Sequence, residues 1–184
     1  MLLLGEIPTS RLLLRPFAAR DADDVWALHG DPELRRYIPW PERTREESLA
    51  WLEQRRTEDR LAQEGDAVAW AVERRADGRV IGSVNAWWRS QVHRHAEIGF
   101  VVERAAHGAG YAREATAAVV DRLFEALDLH RVSSRADARN VASAALMARL
   151  GMRQEAHFRE DEWFKGEWTD TVVFAVLRAE WRVA

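Results

Sequence analysis

The chain has 184 residues, a formal net charge of −3 and no cysteine. Hydrophobic residues make up 47% and charged residues 31%, the balance of a soluble globular protein, and the length suits a single domain over residues 1–184 with one sizeable core. The charge excludes an overall basic field for nucleic acid or anionic lipid, and the missing cysteines exclude disulfides, thiolate metal sites and a cysteine nucleophile.

No apolar run reaches the roughly 20 residues needed to span a bilayer. The opening Met1-Leu2-Leu3-Leu4 soon meets Glu6 and Pro8 and has no basic n-region, so it makes a poor signal peptide. These features lead to an expectation of a cytoplasmic protein with no membrane and no nucleic-acid partner. Nine tryptophans are unusual; most should be core, and a cluster of them could line a pocket.

Leu12, Leu13 and Leu14 predict a short strand stopped by Pro16. Asp21 is expected to cap a helix through Val25, Trp26 and Leu28, and Asp31-Pro32 reads as a second N-cap with proline at the first helical position. Thr44-Arg45-Glu46-Glu47 is a capping box whose helix should run to about Gly65. The period then changes to two. Val68, Trp70 and Val72 predict a strand, Asp77-Gly78 a hairpin turn, and Val80 to Trp88 the returning strand. After a polar connection, Ala96 to Val102 predicts a third strand, with Ile98, Phe100 and Val102 on one face and Glu97, Gly99 and Val101 on the other. Val119, Val120, Leu123, Phe124 and Leu127 make a helical stripe, and Arg131 to Ala136 a strand. Asn140 should cap a helix closed by Gly151, and two final strands meet at Lys165-Gly166-Glu167, the second running from Thr171 to Leu177. The order β-α-α-β-β-β-α-β-α-β-β implies one α+β domain.

Between the third strand and the next helix lies His107-Gly108-Ala109-Gly110-Tyr111-Ala112. Strand, Gly-x-Gly and helix form an anion-binding arrangement: glycines let backbone N–H groups approach a ligand, and the helix N-terminus adds positive dipole. A pyrophosphate is the usual guest, and a plain turn is the alternative. No Gly-Lys-Ser/Thr follows, which excludes a P-loop, and Arg113 stands where a dinucleotide fingerprint needs its third glycine.

Five segments taken together resemble the GNAT superfamily of N-acetyltransferases, in particular its RimJ/RimL-like branch. They are Thr9 to Pro16, Ala96 to Val102, His107 to Ala115, Asn140 to Ser143 with Leu150-Gly151-Met152, and Gly166 to Asp170 before an apolar strand. The resemblance covers nearly the whole chain. It implies a GNAT-type domain with a mixed, mostly antiparallel sheet of about seven strands and helices on both faces. It implies an acetyl-CoA-dependent transfer of an acetyl group to a primary amine by direct attack in a ternary complex, the acceptor being a protein N-terminal α-amine or a small amine such as an amino acid, polyamine or amine antibiotic. A non-catalytic CoA-binding module is the alternative from another class. Phe100, Val101, Val102, His107, Gly108, Ala109, Gly110, Tyr111, Ala112, Asn140 and Ser143 are the implied cofactor contacts. The chain departs from the pattern at Ala105, where the superfamily loop usually carries Gln or Arg.

The thioester arrives activated, so no protein nucleophile is needed, whereas a base for the protonated amine and an acid for the leaving thiolate are. Glu97 is the candidate base, with an arginine ion pair as the competing reading. Asn140 reads as a helix cap and, through the resemblance, as a hydrogen-bond partner of the pantetheine arm. Ser143 is then the candidate donor to the thiolate, since the chain has only Tyr37 and Tyr111 and the second lies on the glycine loop. His93, His95 and His157 show no metal spacing, and no metal is expected. Tyr37, Trp40, Trp87 and Trp168, with Trp88 and Trp163 as further candidates, are expected to line an acceptor pocket suited to a hydrophobic or cationic amine. A monomer or a homodimer is expected, the Trp-rich hairpin being a possible interface.

Overall fold

The meander expected between Val68 and Val102 forms the middle of the sheet. β5 (Ala67–Arg74), β6 (Arg79–Ser90) and β7 (His95–Val102) pair antiparallel. At the first turn Gly78 takes φ 72°, and Arg74 clamps Asp77 with bonds of 3.0 and 2.6 Å. The computed structural model describes residues 1–181.

β3 (Leu12–Arg15) flanks β5, and β2 (Ile7–Pro8) flanks β3. On the other side β7 is followed by β8 (Arg131–Asp137), β10 (Glu167–Leu177) and the edge strand β9 (Arg153–Phe164). The sheet therefore has eight strands in the order β2-β3-β5-β6-β7-β8-β10-β9. The two-residue β2, not marked in the sequence, accounts for the strand beyond the expected seven. Among the described residues only β7 and β8 run parallel, and they pair over just four residues each, His95–Ile98 against Arg131–Ser134. Beyond Ile98 the two strands part.

Helices cover both faces. On one face α1 (Ala22–Gly30), α2 (Pro32–Arg35) and α3 (Arg45–Thr57) pack Val25 and Leu52 against Phe17, Ala69, Ala71 and Val80. On the other, α4 (Tyr111–Ala126) and α5 (Val141–Arg149) bury Val119, Val120, Leu123, Phe124, Leu146 and Met147 against Leu12, Leu14, Trp70, Ile98 and Val132. The expected stripe on α4 is the buried one. Trp70 is fully buried, and its indole N–H donates to Gly5 O at 3.1 Å.

The cap signals are realised at three helices. Thr44 and Glu47 form the reciprocal capping box of α3, and Asp31 caps α2 with Pro32 at its first position. Asn140 Oδ1 accepts from Ser143 N at 3.1 Å to start α5. Gly151, at φ 81°, ends that helix in a Schellman motif, with Met152 N on Met147 O and Gly151 N on Ala148 O.

Three expectations need correction. The helix from Thr44 stops at Thr57, not near Gly65. Leu61 is fully buried in β4 (Arg60–Leu61), paired antiparallel with β1 (Leu2–Leu3), and an extended chain is needed to reach it. Asp21 precedes α1 but does not cap it with its side chain. Its buried carboxylate instead takes two bonds of 2.8 Å from Arg15 and one from Ala18 N, while Arg15 Nε reaches Glu73 at 2.7 Å. Finally, the last strand begins at Glu167, four residues before Thr171, because Lys165 and Gly166 (φ 51° and 90°) make a tight turn. No helix among the described residues is long and apolar enough to cross a membrane.

Candidate active site

The glycine loop is built as an open helix start. Gly110 takes φ 83° at the N-cap of α4, a left-handed conformation that suits glycine, and no side chain caps the helix. The first intrahelical bond to Gly110 O comes from Glu114 N, at 3.0 Å, so the N–H groups of Tyr111, Ala112 and Arg113 have no acceptor within the helix. Gly108 also has positive φ, 78°. His107 Nε2 lies 2.9 Å from Val102 O; since a carbonyl only accepts, that nitrogen carries the proton. Ala105 sits exposed in a 3-10 turn over Arg104–Ala106.

The loop is braced from β2–β3. Arg11 donates to Ala109 O at 2.8 Å and to Glu114 at 2.7 Å, and its guanidinium lies 4.5 Å from the Tyr111 ring centroid. Glu114 also accepts from Thr9 Oγ1, Ser10 Oγ and Arg11 N. Burial raises the Glu114 carboxyl, but the hydrogen bonds from Thr9, Arg11 and Ser10 outweigh it and hold the group below its usual range.

Where β7 and β8 part, a cavity of about 250 Å³ passes between them. It is lined from one face by Tyr37, Trp40, Trp51, Arg55, Asn85, Trp87, Glu97 and Gly99, and from the other by Ile98, Phe100, Asn140 and Ser143. The two-residue alternation of β7 puts Glu97 and Val101 toward α1–α3 and Ile98, Phe100 and Val102 toward α4. Glu103 N bonds Ile81 O at 2.7 Å, so the same alternation turns the backbone groups of Phe100 and Val102 away from β6, toward the opening.

Glu97 faces the cavity and is also ion-paired. Arg89 Nε and Nη2 reach its two oxygens at 3.1 and 3.2 Å. The ion-pair reading of Glu97 is thus realised, and each oxygen retains a second acceptor site. Trp87, which faces Glu97 in the strand register, lies over Gly99. A Cβ at Gly99 would stand 3.2 Å from the indole, so the glycine makes room for this wall. His29 underlies the aromatic end. Its ring packs edge-on to Trp40 and Trp51 at 5.0 and 4.7 Å, and Nδ1 meets Ser48 Oγ at 2.7 Å. Burial, with help from the Arg43 charge, lowers its pKa to about 4 and keeps it neutral.

The structure therefore brings together Glu97, Phe100, Val101, Asn140, Ser143, Tyr37, Trp40 and Trp87 in one cavity. Val102 and His107 to Ala112 lie outside the cavity lining, Val102 buried at the end of β7 and the others in the loop and first turn of α4. Trp168 is not there. It is 57% exposed and stacks edge-to-face with Trp163 at the tip of the β9–β10 hairpin. Pairing of β10 with β8 begins only at Thr171, so Trp168 lies past the end of the neighbouring strand. Trp88 packs on the core and also lies outside the cavity lining. Arg55, Asn85 and Trp51 are cavity residues that the sequence did not mark. Each is a polar or aromatic residue on a helix or strand of ordinary pattern, with no local motif to single it out.

Residues 11–153 match the family model described as an acetyltransferase (GNAT) domain. The chain belongs to the GNAT acetyltransferase family. It is 29% identical over 175 residues to YnaD of Bacillus subtilis, an uncharacterized N-acetyltransferase, covering 95% of this chain and 98% of that one. A GNAT-family acetyltransferase structure from Bacillus anthracis superposes with a TM-score of 0.84 at 26% identity, covering 95% and 99% of the two chains. A Vibrio cholerae structure, provisionally described as a ribosomal-protein-serine acetyltransferase, gives 0.81 at 25% identity over 96% and 99%. These relatives are consistent with the RimJ/RimL-like branch.

GNAT acetyltransferases use acetyl-CoA. The residues here fit such a group. The uncapped start of α4 offers three unpaired N–H donors to a pyrophosphate, and the parted strands expose β7 backbone toward an extended arm. Among the described residues there is no group of three or more His, Asp or Glu side chains placed to hold a metal ion.

Proposed function

We propose that this GNAT protein transfers the acetyl group of acetyl-CoA to a primary amine, with both reactants held together in the β7–β8 cavity. The observation that carries this reading is that one cavity contains Glu97 from one face of the sheet and Asn140 and Ser143 from the other, while the chain leaving β7 leads to the open N-terminus of α4. Acetyl-CoA supplies an activated thioester, so the protein needs no nucleophile of its own.

In this reading the N–H groups of Tyr111, Ala112 and Arg113 bind the pyrophosphate, with Gly108, Ala109 and Gly110 admitting it closely. Val101, Asn140 and the backbone of Phe100 and Val102 orient the pantetheine arm. Asn140 uses Oδ1 for its cap bond and keeps its amide N–H groups for a ligand. Ser143 donates a proton toward the sulfur, and Glu97 accepts one from the amine, directly or through water. Tyr37, Trp40 and Trp87 wall the acceptor and exclude water.

The amine acceptor is a protein N-terminus or a small molecule. The limited cavity volume favours an acceptor that enters as one residue or as a small molecule. A thiol-release screen of peptides and small amines tests the reading. Glu97→Gln should lower kcat by at least about a hundredfold near neutral pH, with recovery as pH rises and the amine loses its own proton. Ser143→Ala should lower it by about tenfold or more. Acetyl-CoA binding without thiol release toward any amine would show a CoA-binding module instead.

A further inference from the structure

Among the described residues, four buried side-chain polar atoms have no hydrogen-bond partner, and three are guanidinium nitrogens: Arg35 Nε, Arg43 Nη1 and Arg55 Nε. Arg35 ends α2, Arg43 lies in the segment joining α2 to α3, and Arg55 lies in α3 and lines the cavity itself. A buried donor on a charged group is costly when left unpaired, so Arg43 and Arg55, which share the Trp51 ring, mark a place where a partner is missing.

The charges around it point to the sign of that partner. Arg43 and Arg55 both lie against the indole of Trp51, at 5.9 and 5.3 Å from the ring centroid, and Trp51 is part of the cavity wall. Burial, and next the charge of Arg55, lower the pKa of Arg43, which has no carboxylate within ion-pair distance among the described residues. Arg55 has Glu58, three residues along its own helix. Glu97 is the one carboxylate among the cavity-lining residues and is paired with Arg89, while the lining residues Arg55 and Arg135 are paired with Glu58 and Asp161. Although the whole chain carries −3, Arg43 is left, among the described residues, as the cation of this region without a carboxylate at ion-pair distance, and it gives the acceptor end its excess of positive charge. An acceptor bearing only positive charge meets repulsion here, contrary to the cationic amine that the tryptophans alone suggested.

We propose that the acceptor is an amine that also carries a carboxylate, held by Arg55 against the Trp40–Trp51 wall while its nitrogen meets Glu97. The assignment rests on the acetyltransferase reading and names the substrate class of that same site. Arg55 gives Nη1 to Glu58, and its unpaired Nε is closed off by packing, so a small turn of the side chain offers a planar pair of N–H donors to a carboxylate; the apolar wall around it strengthens the contact by excluding water. The carboxylate can belong to a free amino acid or to an acidic first residue of a polypeptide.

The test measures thiol release from acetyl-CoA with matched acceptors. Each common L-amino acid is compared with its C-terminal amide, spermidine serves as a purely cationic amine, and Asp-Ala-Ala-amide is compared with Asn-Ala-Ala-amide. The expected result is a kcat/KM advantage of about tenfold or more for the carboxylate member, carried mainly by KM. An advantage in the free-acid pairs identifies an amino acid; one confined to the peptide pair identifies an acidic N-terminus. Arg55→Gln should bring the ratio toward one, and Arg55→Lys should restore part of it. If the Gln variant is unfolded by its melting profile, the wild-type pairs still decide. Amides or spermidine turned over as well as or better than the acids would overturn the assignment, as would an unchanged ratio in folded Arg55→Gln. Thiol release from no amine at all would instead remove the acetyltransferase reading beneath it.

Discussion

Gly110→Ala isolates the role of the loop. Gly110 sits at φ 83°, where a Cβ costs about 1–2 kcal/mol through its own backbone. The space around it is not the obstacle, since a Cβ at this position would have Arg11 Nη2 as its nearest neighbour at 3.4 Å, an ordinary contact. The penalty has two outlets. If the bracing by Arg11 and Glu114 keeps the loop in place, the strain lowers stability and leaves acetyl-CoA affinity near its starting value. If the loop relaxes, the N–H groups of Tyr111 to Arg113 lose their alignment, and affinity falls by about 5- to 30-fold. Calorimetric titration of acetyl-CoA together with denaturant unfolding separates the two, and their losses should sum to the strain. A variant unchanged in both stability and affinity would refute the claim that left-handed Gly110 shapes an anion site.

Three further outcomes follow from particular contacts. Asp21→Ala strips the buried Arg15 of its bidentate partner, leaving Glu73, and should cost about 3 kcal/mol in denaturant unfolding with the m-value unchanged. His29 has its folded pKa lowered to about 4 against 6.5 for the free ring, so its neutral form stabilises the fold fully above pH 6.5. That contribution is lost as pH falls from 6.5 toward 4, by about 2 kcal/mol after allowing for solvent relief of the charged ring. His29→Gln should flatten this part of the stability–pH curve, and an unaltered slope would assign it elsewhere. Trp168→Ser, at an exposed hairpin tip, should leave KM for the amine within about twofold; a large rise in KM would return Trp168 to the acceptor wall.

Much of the fold is local and could be read before the structure. The capping box at Thr44–Glu47, the Asp77-Gly78 turn, the alternation from Ala96 to Val102 and the α4 stripe each depend on neighbours within a few residues. The misreadings arose where distant residues decide. Leu61 leaves the helical pattern because Leu2 offers it a strand partner. Asp21 gives up a capping bond because Arg15 is buried beside it. The candidate site divides the same way. Glu97, Asn140, Ser143 and the glycine loop stand in short recognisable segments. Arg55 looks like any charged residue on a polar helix, and only the packing of α3 through Leu52 on the sheet turns it into a cavity residue. Trp168 shows the converse: residue type suggested a pocket, but the end of β8 at Asp137 leaves that part of the hairpin without a neighbour.

The central claim is direct acetyl transfer with both reactants bound in one cavity. Initial rates measured while varying acetyl-CoA at several fixed concentrations of a turned-over amine test it most directly. Direct transfer gives intersecting double-reciprocal lines, with one thiol released per acetylated amine. Parallel lines would indicate a covalent acyl-enzyme, which the proposed roles of Glu97 and Ser143 do not allow, and would contradict it.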